Sequence, residues 1–338
     1  MENTTPYYDD ADGPFVTPCS RYSDNNVGAK LSILYYFMFL ISLFGNGLVL
    51  IIIYRFERLT TVTNILLLNL VFSSIIFMSS LPFLAVQNQL SEWIFGKVMC
   101  RIVGSSYYLG LYSSVLFLTI LTIDRHIAVV YSLDASRLRG RRYAMISCAV
   151  VWIISSLACI CPMITHILYK YNTQGVILCG DYPGTLDYID HSRLKVSHFY
   201  MQLFLFLIIP LVVIIYCYIR IAITVLMSRI ATKFKTVRLI FIIVVWFFVS
   251  WTPFNIVTLL KQEDNCLASQ RRGYALHITR NITYIYFCFS PIFYTFVGRK
   301  FQNHFRLMLV KRFPVLKRYI SVTPNSNTSM STKCSPSD

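Results

Sequence analysis

Apolar residues run along this chain in long stretches, set apart by short polar segments, and do not alternate with polar ones. A helix of about 20 residues crosses about 30 Å of hydrocarbon. Seven runs meet that length, at 31–54, 64–86, 98–131, 143–166, 196–227, 239–260 and 274–298. The first, second, fourth and sixth contain no Asp, Glu, Lys or Arg, and the other three hold only Arg101, Asp124, Arg125, Arg220 and Arg280. Barrel strands are about 10 residues long and alternate, so helices are the element such runs predict. The expected architecture is an all-α membrane protein, a seven-transmembrane helix bundle over 31–298. After it, Phe301, Phe305 and Met308 or Leu309 recur at spacings of three and four among basic residues. That pattern predicts a short cytoplasmic amphipathic helix, an eighth, over 299–313. The flanks read as an acidic arm over 1–30 and a disordered tail over 314–338, rich in Ser, Thr, Asn and Pro.

Composition agrees with a bilayer: 56% hydrophobic and 14% charged residues, against roughly 45–50% and 25% in soluble proteins. A net charge of +16 would suggest nucleic acid in a soluble chain, but in a membrane protein its placement matters more. The segments 55–63, 132–142 and 229–238, with the tail from Arg299, hold 18 Lys and Arg against only Glu57, Asp134 and Asp338. By the positive-inside rule this side is cytoplasmic, which places the amino terminus outside and removes nucleic acid from the expected partners. No cleavable signal sequence is read before Leu31, so the first span is expected to serve as signal anchor. Asn3-Thr4-Thr5 is then a glycosylation sequon on the outer side. Asn281 and Asn327 also match the sequon but fall in a span and in the tail.

Topology also sorts the cysteines, because only outward segments see an oxidising environment. Cys19, Cys100, Cys179 and Cys266 lie outside, and four cysteines allow three connectivities. Cys148, Cys159, Cys161, Cys217 and Cys288 read as packing residues. No metal spacing, cofactor signature or set of nucleophile and base emerges within the spans, so neither catalysis nor a cofactor is expected. The seventh span lacks the lysine a retinal Schiff base needs. Near Tyr107 the third span has no carboxylate to pair with an amine ligand. Asp124 and Arg125, by contrast, sit at the cytoplasmic end of a span, where an ionisable pair is functional by default. Pro253 and Pro291 each remove a backbone hydrogen bond inside a span and mark points where a helix can hinge.

These residues fall in an ordered set of motifs. Gly45-Asn46 is in the first span, Trp93-Ile94-Phe95-Gly96 precedes Cys100, and Asp124-Arg125-His126 ends the third span. Trp251-Thr252-Pro253 is in the sixth, and Pro291-Ile292-Phe293-Tyr294 closes the seventh. From about Leu31 to Phe313 the chain resembles the rhodopsin-like (class A) G-protein-coupled receptors. The resemblance implies that Asp124, Arg125, His126, Trp251, Pro253, Pro291 and Tyr294 serve activation. Arg125 would be held at rest and released to the G protein when the sixth helix swings out.

Within that class the chain is similar to chemokine receptors: Ser80-Leu81-Pro82 in the second span, the Trp93 loop and two extra outer cysteines all match. The resemblance implies disulfides Cys100–Cys179 and Cys19–Cys266, a small basic chemokine as ligand and an inhibitory-class G protein as effector. It also implies arrestin and receptor kinases acting on the phosphorylated tail. Tyr7-Tyr8-Asp9-Asp10 is the context in which arm tyrosines of the family are sulfated, and an acidic arm would steer a basic ligand. The ligand's flexible end would then insert among Tyr107, Tyr108, Arg280 and Tyr284. Adjacent helical residues point about 100° apart, so Tyr107 and Tyr108 cannot both face the pocket fully.

The segments Tyr274-Ala275-Leu276, Thr279-Arg280-Asn281 and Thr236 to Phe241 further resemble the lymphotactin (XC-type) receptors. Most CC-type receptors carry Glu where Arg280 stands, and a cation there favours an acidic or polar ligand group, the alternative being that Arg280 pairs with an outer-loop carboxylate such as Asp187 or Glu263. Three positions depart from the class. Ser74 stands where most of the class carry the Asp that helps hold a sodium ion, so no tight sodium site is expected; Ser290 replaces the usual Asn or Asp before Pro291, and His126 replaces the commoner Tyr. These departures leave open a scavenging receptor that internalises chemokine without activating a G protein.

Overall fold

The structure is a computed structural model that describes residues 15–16, 27–56, 61–131, 139–171, 175–181, 185–186, 189–228, 234–260, 266–297, 305–306 and 310. Its elements are helices α1 (Val27–Phe56), α2 (Val62–Met78), α3 (Leu81–Leu90), α4 (Gly96–Val130), α5 (Arg141–Ala158) and α6 (Ile160–Thr165). They continue with α7 (His191–Leu203), α8 (Ile209–Ser228), α9 (Phe234–Leu259) and α10 (Cys266–Val297). The second span is α2 with α3, the fourth α5 with α6, and the fifth α7 with α8. Among the described residues six spans are long and apolar enough to cross a membrane. The seventh helix, α10, is more polar because Arg280, Asn281, His277 and three threonines lie along it. Together they form the expected seven-helix bundle. Nearly all of the segment expected to form the amphipathic helix lies outside the described residues.

Each break in a span has a local cause. Thr61 caps α2, its hydroxyl accepting from the Asn64 amide at 3.3 Å, which satisfies one orphan donor of the first turn. The second span breaks at Ser79–Ser80, ahead of Pro82, which sits in the first turn of α3. The hydroxyls of Ser79 and Ser80 donate to the carbonyls of Ile76 (2.7 Å) and Phe77 (2.8 Å), occupying acceptors that helix continuation would have used. In the fifth span a π turn at Phe204–Ile208 joins α7 to α8, just before Pro210, which brings no amide hydrogen to the ladder. The sixth and seventh spans instead run unbroken through Pro253 and Pro291.

Helix α4 is the axis of the bundle. Its 35 residues extend about 50 Å at 1.5 Å each, and it packs against α2, α5, α6, α8 and the loop hairpin. Close approach to α2 depends on Gly110, where a Cβ would come 2.5 Å from the backbone nitrogen of Phe77. Many large apolar side chains, among them Ile33, Phe37, Phe44, Leu157, Val212 and Val249, are exposed on the bundle's outside. With no water to satisfy in hydrocarbon, that is the surface a bilayer-embedded bundle presents.

One end of the bundle carries an antiparallel hairpin of β2 (His166–Tyr171) and β3 (Val176–Asp181), with His166 opposite Asp181. A short strand β1 (Phe15–Val16) pairs in parallel with the outer end of β2, at Lys170 and Tyr171. The hairpin is tied down at three points. Cys100 in the first turn of α4 is disulfide-bonded to Cys179. The Gln87 side chain accepts from the Cys179 amide at 3.2 Å and donates to its carbonyl at 3.4 Å. The Trp93 amide donates to the Ile177 carbonyl at 2.8 Å.

Candidate functional site

Beneath the hairpin the first, second, third, sixth and seventh spans converge on a cluster of aromatic side chains. Tyr107 lies 4.9 Å from Phe77 and 5.9 Å from Tyr284, ring centre to ring centre. Tyr284 in turn meets Tyr35 at 5.6 Å and Phe77 at 5.3 Å. Into this ring reaches Arg280, its guanidinium carbon 5.9 Å from the Tyr107 centroid and 5.6 Å from that of Phe254. Both are within the range of a cation–π contact. The next residue, Asn281, accepts from the Tyr35 hydroxyl at 2.9 Å, binding the first span to the seventh.

Tyr108 turns the other way. Its ring packs edge-on against His198 at 5.0 Å and His166 at 6.1 Å. His166 Nδ1 lies 3.0 Å from Asp181 Oδ1, and the Thr165 hydroxyl donates to the same oxygen at 3.0 Å. Burial would raise the Asp181 carboxyl's pKa, but His166, Lys195 and Thr165 outweigh it and hold Asp181 well below the ordinary carboxylate range.

From this level a chain of buried hydrogen bonds descends through three spans. Tyr112 Oη is 2.8 Å from His198 Nε2 and donates to Gln202 Oε1 at 3.2 Å. A hydroxyl has one hydrogen, so both bonds are made when His198 carries its proton on Nε2 and donates to the tyrosine oxygen. Gln202 Nε2 donates to Asn255 Oδ1 at 3.1 Å, and Asn255 Nδ2 donates to the Trp251 carbonyl at 3.0 Å. Trp251 is fully buried and stacks on Phe254 at 5.2 Å, so the chain ends beside a ring that also touches Arg280.

At the opposite end of α4, Asp124 is fully buried and surrounded by donors. Arg139 grips it with two prongs, Nε to Oδ1 at 2.5 Å and Nη2 to Oδ2 at 2.8 Å. Arg125 Nη2 donates at 2.9 Å and the Thr63 hydroxyl at 3.2 Å, both to Oδ2. One carboxylate thus joins the second span, the third span and the segment leading into α5. Charge-assisted bonds of this number and geometry are what a buried carboxylate requires. His126 packs between Tyr131 at 5.7 Å and Tyr216 of α8 at 5.9 Å. Ser74 and Ser290 donate to carbonyls of their own helices, those of Leu70 (3.0 Å) and Phe287 (3.2 Å).

Of the residues the sequence nominates, Tyr107, Arg280 and Tyr284 come together, and Tyr108 stands behind them facing α7. Asp124 and Arg125 form the ionic latch, with His126 alongside, and Trp251 lies at the pocket floor next to Pro253. Pro291 and Tyr294 lie towards the far end of α10. Asn3, Tyr7, Tyr8, Asp9, Asp10 and Cys19 lie outside the described residues, as do Asp187 and Glu263, and Cys266 is the first residue of α10. Sequence reasoning did not single out Arg139, Gln87, His198, Gln202 or Asn255. Arg139 counted only as one positive charge among many, and the three polar residues of the buried chain sit in apolar runs without a motif.

Residues 45–294 match the 7 transmembrane receptor (rhodopsin family). The chain is 34% identical to the C-C chemokine receptor type 3 of Cavia porcellus over 96% of this chain and 92% of that one. It is equally 34% identical to the chemokine XC receptor 1 of Homo sapiens, over 91% and 89% of the two chains. It is also 34% identical to the G-protein coupled receptor E1 of Equine herpesvirus 2, over 88% and 79%. The chain therefore belongs to the rhodopsin family of seven-transmembrane receptors and, within it, to the chemokine receptors. It is a multi-pass membrane protein and not an enzyme.

Proposed function

We propose that this receptor resides in the plasma membrane with its amino-terminal arm outside and its tail in the cytoplasm. There it captures a chemokine of the lymphotactin type and activates an inhibitory-class G protein. The arm, through Tyr7, Tyr8, Asp9 and Asp10, makes the first contact, and the ligand's flexible end then enters among Tyr107, Tyr108, Arg280 and Tyr284. A ligand shifts the receptor's conformational balance only by binding the active arrangement more tightly. The observation that carries this reading is the continuity of α4, which presents Tyr107 to the pocket and Asp124 with Arg125 to the opposite end. Receptor kinases and arrestin would act afterwards on the nine Ser and Thr residues from Ser321 onward. The alternative, a scavenging receptor, is favoured by Ser74, Ser290 and His126.

Inhibition of cyclic-AMP production in cells expressing the receptor tests the two, using a chemokine panel that includes lymphotactin, with surface binding measured in parallel. A pertussis-toxin-sensitive response to a bound chemokine supports signalling. Binding and uptake with no response supports the scavenger, and no binding by any chemokine overturns both.

A further inference from the structure

Among the buried donors without an acceptor in the aromatic cluster, which include the Tyr284 hydroxyl and the Trp251 indole nitrogen, two lie beside each other. They are Nε of Arg280 and the hydroxyl of Tyr107, and Tyr107 as a whole is only 8% exposed. They are neighbours, with the guanidinium 5.9 Å from the Tyr107 ring. Buried donors are almost always satisfied in folded proteins, so a pair left open in one place asks for a partner. The partner has to bring negative charge. A guanidinium keeps its proton in proteins, so Arg280 cannot escape burial by becoming neutral. Among the described residues Arg280 makes no ion pair. The Asp181 carboxylate, which contributes to its electrostatic surroundings, is engaged by His166 and Thr165. Around the two donors the pocket offers rings: Tyr35, Phe77, Phe254 and Tyr284.

We infer that the pocket binds a carboxylate on an aromatic or apolar stem, its oxygens accepting from Arg280 and Tyr107 and its stem lying among the rings. This rests on reading the pocket as the receptor's ligand site, and it names the chemistry that site takes. A carboxylate has two oxygens with about four lone-pair sites, enough to meet both donors at once. The acid has two sources, an acidic side chain near the inserted end of a protein ligand or a free organic acid.

The test compares indole-3-acetate with tryptamine, the same ring carrying opposite charges, by their effect on the melting temperature of the full-length receptor in nanodiscs. The acid should raise the melting temperature and the amine should not. Arg280→Glu should reverse the preference, and Tyr107→Phe should weaken the acid about tenfold, as expected for losing one hydrogen bond to a charged group. Should Arg280→Glu fail to fold, Arg280→Gln should abolish the preference without reversing it. Equal shifts from both probes, no shift from either, or a preference that survives Arg280→Glu or Arg280→Gln would overturn the inference. The assay contains no chemokine and no G protein, so it separates the two readings. Charge-selective binding in a receptor that no chemokine engages keeps the subsite and sinks the chemokine assignment. A chemokine response with no charge selectivity does the opposite. G-protein turnover driven by the acid alone assigns the subsite to a small molecule. Turnover driven only by a protein ligand, and lost when its acidic residues are neutralised, assigns it to the ligand's chain end.

Discussion

Gly110 shows how much of this bundle is decided by a single missing carbon. An added Cβ would lie 2.5 Å from the nitrogen and 2.6 Å from the Cα of Phe77. Backbone, unlike the end of a flexible side chain, cannot step aside. Gly110→Ala should therefore push α2 from α4 and cost about 1–3 kcal/mol, the usual range for overpacking. It would disturb Phe77, which stacks on Phe287 at 4.0 Å, and so loosen the pocket as well. Gly47 is the control, because no atom lies within 4 Å of its added Cβ. Gly47→Ala should be neutral or stabilising by up to about 1 kcal/mol, the helix-propensity difference. Thermal melts of the purified receptors compare them, and equal melting temperatures for the two variants would refute the packing argument. None of this is readable along the chain, where both glycines are single residues in apolar runs. Asp124 and Arg125 were legible because charge is rare there, whereas their partner Arg139 lies 15 residues from Asp124 and is brought back only by the fold.

At the scale of elements, absence of charge marked the spans well and said little of how each is built. It did not anticipate the π turn in the fifth span, since that depends on how the ladder relaxes ahead of Pro210. It did not anticipate the hairpin either. His166 reads as the end of an apolar run, yet the backbone leaves the helix at Thr165, and His166 opens a strand paired with Asp181. The joint between elements with the greatest consequence is Tyr112, whose hydroxyl links α4 to His198 and Gln202 of α7 and, through Gln202, to Asn255 of α9. Tyr112→Phe keeps the ring that stacks on Phe206 at 3.9 Å and removes only the oxygen. His198 and Gln202 each then lose a buried partner, a cost of about 1–3 kcal/mol. Ligand capture by the arm should be unchanged, while the maximal G-protein response should fall, because the sixth span no longer feels the third through this chain. Dose–response curves alongside surface binding decide it, and an intact maximum would show the chain to be structural only.

For the molecule as a whole, α4 spans the distance between a pocket and a latch, and the two ends differ in what satisfies them. At the latch the carboxylate is met from within: Asp124 receives Arg139, Arg125 and Thr63, and a carboxylate with that many charge-assisted bonds is stable when buried, while Nε of Arg125 is left without an acceptor. At the pocket, Arg280 and Tyr107 keep donors to spare. The Asp124 carboxylate holds Arg125 in place, so its loss is expected to shift the receptor away from rest. Asp124→Asn removes the charge while keeping the shape. The two arginines, whose side chains are 23% and 15% exposed, would then lose their anion, and Arg125 would be free to leave. Breaking a buried pair costs about 3–5 kcal/mol, and the partial exposure of both guanidiniums brings the expected loss below that range. The folded receptor should persist, with G-protein turnover in the absence of ligand raised above wild type. Arg139→Gln leaves Asp124 with Arg125 and should raise it less. Nucleotide exchange on an inhibitory G protein, measured in membranes without chemokine, checks the order. If basal exchange is the same in all three receptors, the latch does not hold the resting state, and Arg125 must be restrained by contacts other than Asp124.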